Sequence, residues 1–278
     1  MKKVLSVIFL VVIAAFTVFP LFFLLAASIM GNRELMEHFA PMLKQADGYV
    51  TWPLPLFPTL RNYIELLLDS PEFFVMFWNS VKITACILAG QLVFGMPAAW
   101  GLAIYQFRGK KIIYRLYIIM MMMPFQVTML SEYLVLDGLG MLDSLAAVIW
   151  PGIFSAFSVF IMYRFFGNIP GSVLEAARLD GASEIRLFIH LGIPLGSPGV
   201  IAAMVLSYLE CWSMLEQPMT FLETKSLWPL SMFLPEINGD NAGFCICVSF
   251  AVLLPAVFVF LIGQDYLEQG IASSMLKE

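Results

Sequence analysis

Few residues in this 278-residue chain could do covalent chemistry. Two histidines are present, His38 and His190, and the span assignment below puts them on opposite sides of a membrane, so no Ser-His-Asp arrangement is expected. The four cysteines, Cys86, Cys211, Cys245 and Cys247, lie in apolar stretches without metal-ligand spacing. They read as small core hydrophobes, and no metal site is expected. Gly109–Lys110–Lys111 lacks the upstream glycine spacing and the Ser/Thr of a phosphate loop, so this chain should bind no ATP by that device and no other cofactor. With no nucleophile–base pair either, the sequence does not read as an enzyme. Binding chemistry remains. Glu210 stands beside Cys211, Trp212 and Ser213 near the end of an apolar stretch, with Glu216 and Gln217 close behind. An ionisable group inside such a stretch is a functional candidate, because an unpaired charge in lipid is costly; a place at the water boundary is the alternative. Gln91 and Gln126 are further polar candidates within apolar surroundings.

The elements that must position these groups follow from composition. Hydrophobic residues make up 60% of the chain and charged ones 13%, about half the share usual in a soluble domain. A single water-soluble core of this size cannot hide that much apolar surface. The net charge of −5, without a dense basic patch, argues against nucleic-acid binding, and 25 Phe, 9 Tyr and 6 Trp argue against disorder. Uncharged intervals at 4–29, 83–107, 116–131, 144–163, 187–209 and 241–264 approach the roughly 20 apolar residues a membrane helix needs. The first is too long for the 7–15-residue core of a cleaved signal and reads as an anchored helix. An all-α integral membrane protein with six transmembrane helices is therefore expected. With Met1 inside, ten Lys/Arg fall in the inner segments against five in the outer ones, together the 15 of the chain. That excess places both termini in the cytoplasm, with 108–111 (RGKK) as the strongest anchor. The organisation expected is 1–30 as N-terminus and first helix, 31–79 as an extracytoplasmic loop, and 80–278 as a five-helix core. Prolines 97, 124, 151 and 255 are expected to kink helices.

Residues 167–199 do not fit a plain linker. Pro170–Gly171 breaks the preceding helix, and Ser172 is the expected N-cap of a short one. Asp180–Gly181 reads as a turn, and 182–191 as a second short helix with Ile185, Phe188 and Ile189 on one stripe. Two short helices joined at a glycine make either a protruding docking surface, ringed by Glu175, Arg178, Asp180, Glu184 and Arg186, or an amphipathic linker.

Here the sequence resembles a known family. Glu175–Ala176–Ala177, then Gly181, then an aliphatic–x–aliphatic–Pro ending at Pro194 is similar to the EAA signature of membrane subunits of ABC importers. LDGAS, the closing LGIP, FWNSVKITA at 77–85, MMP at 122–124 and FGNIP resemble carbohydrate-uptake permeases of the maltose-type second branch. Trp212 followed by Ser213, and the acidic Asp265 and Glu268, depart from the family's usual pattern. The resemblance implies a multi-pass inner-membrane permease for sugar or oligosaccharide import. The EAA loop, 172–194, would hold coupling helices that sit in a cleft of a separate cytoplasmic ATPase. Glu175 would make the charged contact, Ala176 and Ala177 allow close approach, Asp180 join the docking surface, Gly181 set the bend, and Pro194 mark the return to the membrane. The implied partners are two ATPase copies carrying the ATP, a homologous permease and an extracytoplasmic solute-binding protein. On this resemblance Glu210, Trp212, Ser213, Gln91 and Gln126 become candidates for the sugar pathway. A glycerol-3-phosphate-type substrate, or a stand-alone secondary transporter, is the alternative.

Overall fold

A computed structural model describes residues 2–39, 54–233 and 241–275, and every regular element among them is helical. Lys44, Lys277 and the start of the proline-rich stretch at 51–60 fall outside the described residues. Helix α1 (Lys2–Ser28) is followed by α2 (Asn32–Phe39) and the short α3 (Arg61–Ile64), which leads through a π-helical turn, Glu65–Asp69, to α4 (Pro71–Gly90). A second π turn, Gln91–Gly95, joins α4 to α5 (Met96–Ile104). Then come α6 (Lys110–Met122), α7 (Phe125–Gly138), α8 (Leu145–Ile153), α9 (Ala156–Phe166), α10 (Gly171–Leu179) and α11 (Glu184–Leu187). A third π turn, Phe188–Gly192, opens α12 (Ile193–Trp212), and α13 (Glu216–Phe221) and the long α14 (Ala242–Met275) complete the order.

Five helical segments among the described residues are long and apolar enough to cross a membrane: Val4–Ser28, Pro71–Ile104, Leu145–Phe166, Glu184–Trp212 and Ala242–Glu268. Lys110–Met122 and Phe125–Gly138 pass the same test together but bend by 104° at Pro124. The chain is thus a multi-pass, all-helical membrane protein. Two boundaries differ from the sequence expectation. The second long helix starts at Pro71, well before the uncharged interval, because Lys82 interrupts the apolar run without interrupting backbone hydrogen bonds. Likewise the second short helix of the 167–199 segment does not end before Pro194; it continues through the π turn into α12. Proline lacks a donor and crowds the carbonyl four residues back, and a π turn just upstream relieves both faults. Pro97 follows the Gln91–Gly95 turn in the same way.

The chain divides into two compact units, Met1–Phe74 with Leu234–Pro255, and Val75–Phe233 with Ala256–Glu278. In the first, Ala27, Met30 and Leu35 form a buried cluster joined by Phe23, Ala242 and Ile246. The Ser28 and Tyr63 hydroxyls meet at 2.7 Å, and the Thr59 N–H donates to the Ile29 carbonyl at 2.7 Å. Residues 4–22 of α1 are exposed throughout, an apolar surface that lipid or another apolar chain must cover.

The second unit is built around α5, α9 and α12. Trp100, Met162, Phe166, Leu174, Leu187 and Ala203 make its main core. On α12, an added Cβ at Gly196 would lie 2.3 Å from the Phe166 ring and one at Gly199 2.1 Å from Phe165. Those two glycines let α9 and α12 approach closely, as small residues do between membrane helices. Asn79 Nδ2 donates to the Ser226 carbonyl (2.7 Å) and the Trp228 carbonyl (3.1 Å), and Ser80 Oγ accepts the Leu230 N–H (2.7 Å). These bonds tie the irregular 222–233 segment to α4.

Candidate functional site: the helix pair between α9 and α12

Helix α9 ends at Phe166, and α10 starts at Gly171 with Pro170, not Ser172, in the N-cap position. Ser172 lies inside the first turn, and the capping serine of the pair is Ser183, whose Oγ accepts the Arg186 N–H at the start of α11. Gly181 adopts φ +84°, a left-handed conformation that L side chains resist. Around it, the Ala182 N–H donates to Ala177 O (3.0 Å) and the Gly181 N–H to Arg178 O (3.0 Å), the two crossed bonds of a Schellman ending. The chain thereby turns at Gly181, and α11 follows in contact with α10.

One face of this pair is anchored. Leu174 and Leu187 are buried in the main core, and Trp100 packs against both Phe166 (5.4 Å, edge-on) and Phe188 (5.6 Å). Glu184 fastens the turn from outside. Its carboxylate receives Arg178 Nε at 2.9 Å, Arg178 Nη2 at 3.2 Å and the Tyr105 hydroxyl at 2.8 Å, so α10, α11 and the end of α5 meet at one side chain. The Glu184 carboxylate in turn raises the pKa of the Arg178 guanidinium above its ordinary value. The other face is open. Leu179 is 89% and Ile185 71% exposed, beside exposed Glu175, Ala176 and Asp180. Ala177 and Asp180 border a groove of about 710 Å3 that Arg186, His190 and Leu191 close on the far side. His190 Nδ1 lies 3.2 Å from the Arg186 carbonyl, in its own helix. A rigid stem with exposed aliphatic side chains at its tip suits insertion into another protein's cleft and offers no reacting group.

The membrane-embedded candidates separate into three places. Trp212 is buried, stacked on Tyr208 at 5.6 Å and edge-on to Phe77 at 5.9 Å. Glu210, two residues from each, falls on a different face of α12 and is exposed. Ser213 donates back to the Leu209 carbonyl at 2.7 Å. Gln126, exposed at the start of α7, holds Glu216 of α13 with its Nε2 2.6 Å from both carboxylate oxygens. Gln91 is 2% exposed and engaged at both ends: Nε2 donates to the Gly152 carbonyl (2.9 Å) and Oε1 accepts the Ser158 hydroxyl (2.9 Å), which accepts from Ser207 (2.8 Å). The sequence reading passed over Trp100, Tyr105, Ser158 and Ser207, whose partners are remote in sequence. The spacing of Gly192, Gly196 and Gly199 was the available signal for close helix packing.

The described residues thus form an all-helical membrane unit that carries a short helix pair between two spans. The family described as binding-protein-dependent transport system inner membrane component matches residues 91–273, and the chain belongs to it. It is a membrane component of a transport system and not an enzyme. The chain is 29% identical to the arabinooligosaccharides transport system permease protein AraQ of Bacillus subtilis, over 97% of this chain and 94% of that one. Against the protein of the same name in Halalkalibacterium halodurans the identity is 28%, over 95% and 93%. The sn-glycerol-3-phosphate transport system permease protein UgpE of Brucella abortus is 26% identical over 76% and 70%. The fold superposes with a TM-score of 0.78 on a chain of the crystal structure of a bacterial ABC transporter involved in import of the acidic polysaccharide alginate, at 21% identity, covering 95% of this chain and 96% of that one.

Proposed function

We propose that this chain is one permease subunit of an ABC importer that carries a sugar or oligosaccharide inward across the cytoplasmic membrane. It has six transmembrane helices, the bent α6–α7 pair being the third, and both termini in the cytoplasm. The anchored helix pair α10–α11 carries the proposal: exposed Glu175, Ala176, Asp180 and Gly181, with half-buried Ala177 behind them, dock on a separate ATPase. Pro194 marks the point where α12 continues into the membrane. ATP is held by two copies of that ATPase, since this chain has no phosphate loop. A homologous permease completes the pore, and an extracytoplasmic solute-binding protein delivers the substrate. Glu210, Trp212, Ser213 and Gln126 flank the sugar's path, and Gln91 belongs to the helix contacts that frame it. A glycerol-3-phosphate-type substrate is the second reading, favoured by the UgpE relatives; the fuller coverage by AraQ, 97% against 76% of this chain, favours a saccharide.

Co-purification of the permease with its ATPase and partner permease, wild type against Gly181→Pro, tests the docking role. Proline cannot adopt φ +84° and removes the donor to Arg178 O, so the turn must open while the spans stay packed. The expected result is a monodisperse permease with at least a roughly ten-fold loss of retained ATPase. Equal retention by the variant would remove α10–α11 from the docking surface.

A further inference from the structure

A concavity of about 730 Å3 lies within the unit formed by Met1–Phe74 and Leu234–Pro255, between the α1–α2 junction, α3 and the first turn of α14. Its back wall is fixed by two amide side chains. Asn62, 4% exposed, donates to the Met30 carbonyl at 3.2 Å, and Asn32 Oδ1 accepts the Gly243 N–H at 2.9 Å. An added Cβ at Gly243 would stand 2.4 Å from Asn32 Oδ1 and 2.7 Å from Asn62 Nδ2, so α14 is seated hard against both. Arg33 and Arg61 line the mouth with Glu65, all three exposed, and neither guanidinium forms an ion pair among the described residues. Phe244 adds an apolar patch to the lining.

Two guanidinium forks that form no ion pair among the described residues attract an anion at this cavity, and their planar donors match a carboxylate. The volume favours a small molecule as the owner of that carboxylate. Cavities of roughly 300–1,000 Å3 hold small molecules, whereas one acidic side chain of a docked protein would leave most of this space empty. Amide, carboxylate and guanidinium groups beside an aromatic ring also suit a hydroxylated ring with one apolar face. We propose that this pocket is an entry subsite for an acidic saccharide, with Arg33 and Arg61 binding the carboxylate of a uronic acid unit. It rests on the sugar-import reading, which puts the 31–79 loop on the extracytoplasmic side.

The test uses the full-length chain in nanodiscs without ATPase, titrated calorimetrically with trigalacturonate and with uncharged maltotriose. Trigalacturonate is expected to bind in preference to maltotriose, and more weakly as salt rises. Arg33→Gln with Arg61→Gln is expected to weaken its binding about ten-fold or more while leaving maltotriose unchanged. Glu65→Gln, which removes a repelling carboxylate, is expected to tighten it, an outcome that a misfolded protein cannot give. Absence of trigalacturonate binding by the wild type, equal binding of both probes, or indifference to the arginine pair overturns the proposal. So does a double variant that binds trigalacturonate normally but loses capture of the solute-binding protein, since the pocket would then be a protein dock. Because no ATPase is present, failure here is separate from failure of the docking role of α10–α11.

Discussion

Asp143 shows how much one side chain can organise. It adopts φ +52°, which aspartate tolerates better than most residues, and its Oδ1 accepts the N–H groups of Glu223 (3.0 Å) and Thr224 (2.8 Å). Its Oδ2 accepts the Thr224 hydroxyl. These bonds favour the carboxylate, the hydroxyl most, and hold its pKa below the ordinary value. A folded-state pKa below the unfolded one means that the stabilisation is complete above the unfolded value, near 4, and is lost as pH falls through the lowered one. Thermal melting of the detergent-solubilised protein between about pH 3 and 7 should therefore show a drop at the acid end that Asp143→Asn flattens. An identical acid limb in wild type and variant would mean that the carboxylate does not hold this contact in solution. The same side chain marks the limit of reading a sequence by eye, since its partners lie 80 and 81 residues away. Gly181 was legible because its Schellman bonds span only six residues, 177–182. The cap was misplaced by that same local reasoning: Ser172 and Ser183 are both serines at a helix start, and only the backbone path distinguishes them.

At the scale of elements, composition foretold most helices but not their joints. Charge marks where an apolar run stops, whereas a helix stops only when its backbone bonds do. Lys82 therefore hid the true start of α4, and Arg186 and Pro194 hid the continuity of α11 with α12. The buried chain Gln91–Ser158–Ser207 was equally hidden, although it links the π turn after α4 with α9 and α12. Its logic is physical. The break between α8 and α9 leaves the last carbonyls of α8 without helical donors, and Gln91 supplies one to Gly152. A serine hydroxyl has a single proton, so Ser158, donating to Gln91, must accept from Ser207. Ser158→Ala strands two buried groups and should cost about 1–3 kcal/mol in reversible unfolding from mixed micelles. Adding Gln91→Leu removes one stranded oxygen, so the double variant should cost less than the sum of the single ones by about 0.5 kcal/mol or more. Strict additivity would show that the three side chains do not act as one junction. An intact junction, together with Trp100 and the Glu184 clamp, makes α5, α9 and α12 a stiff base for the α10–α11 tip.

For the whole molecule, the 104° bend at Pro124 sets the topology, and its two possible paths are measurably different. If α6 and α7 together cross the membrane, the basic 108–111 segment and the α10–α11 pair lie on one side, and 139–144 lies on the other. If they enter and leave on the same face, every later segment is inverted, and α10–α11 is carried outside, where no cytoplasmic ATPase can meet it. The charges choose between these arrangements. Arg108, Lys110, Lys111 and Arg115 precede or begin α6, and Arg164, Arg178 and Arg186 surround the helix pair. A re-entrant bend would place the second group with the translocated loops, against the tendency of Lys and Arg to stay inside. Single cysteines introduced at Leu139 and Ser172 in a cysteine-free background, both at exposed sites, read this directly with a membrane-impermeant maleimide. In intact cells Leu139→Cys should label and Ser172→Cys should not, and permeabilisation should expose the latter. The reverse pattern would make α6–α7 a re-entrant hairpin and would remove the helix pair from any contact with ATP hydrolysis.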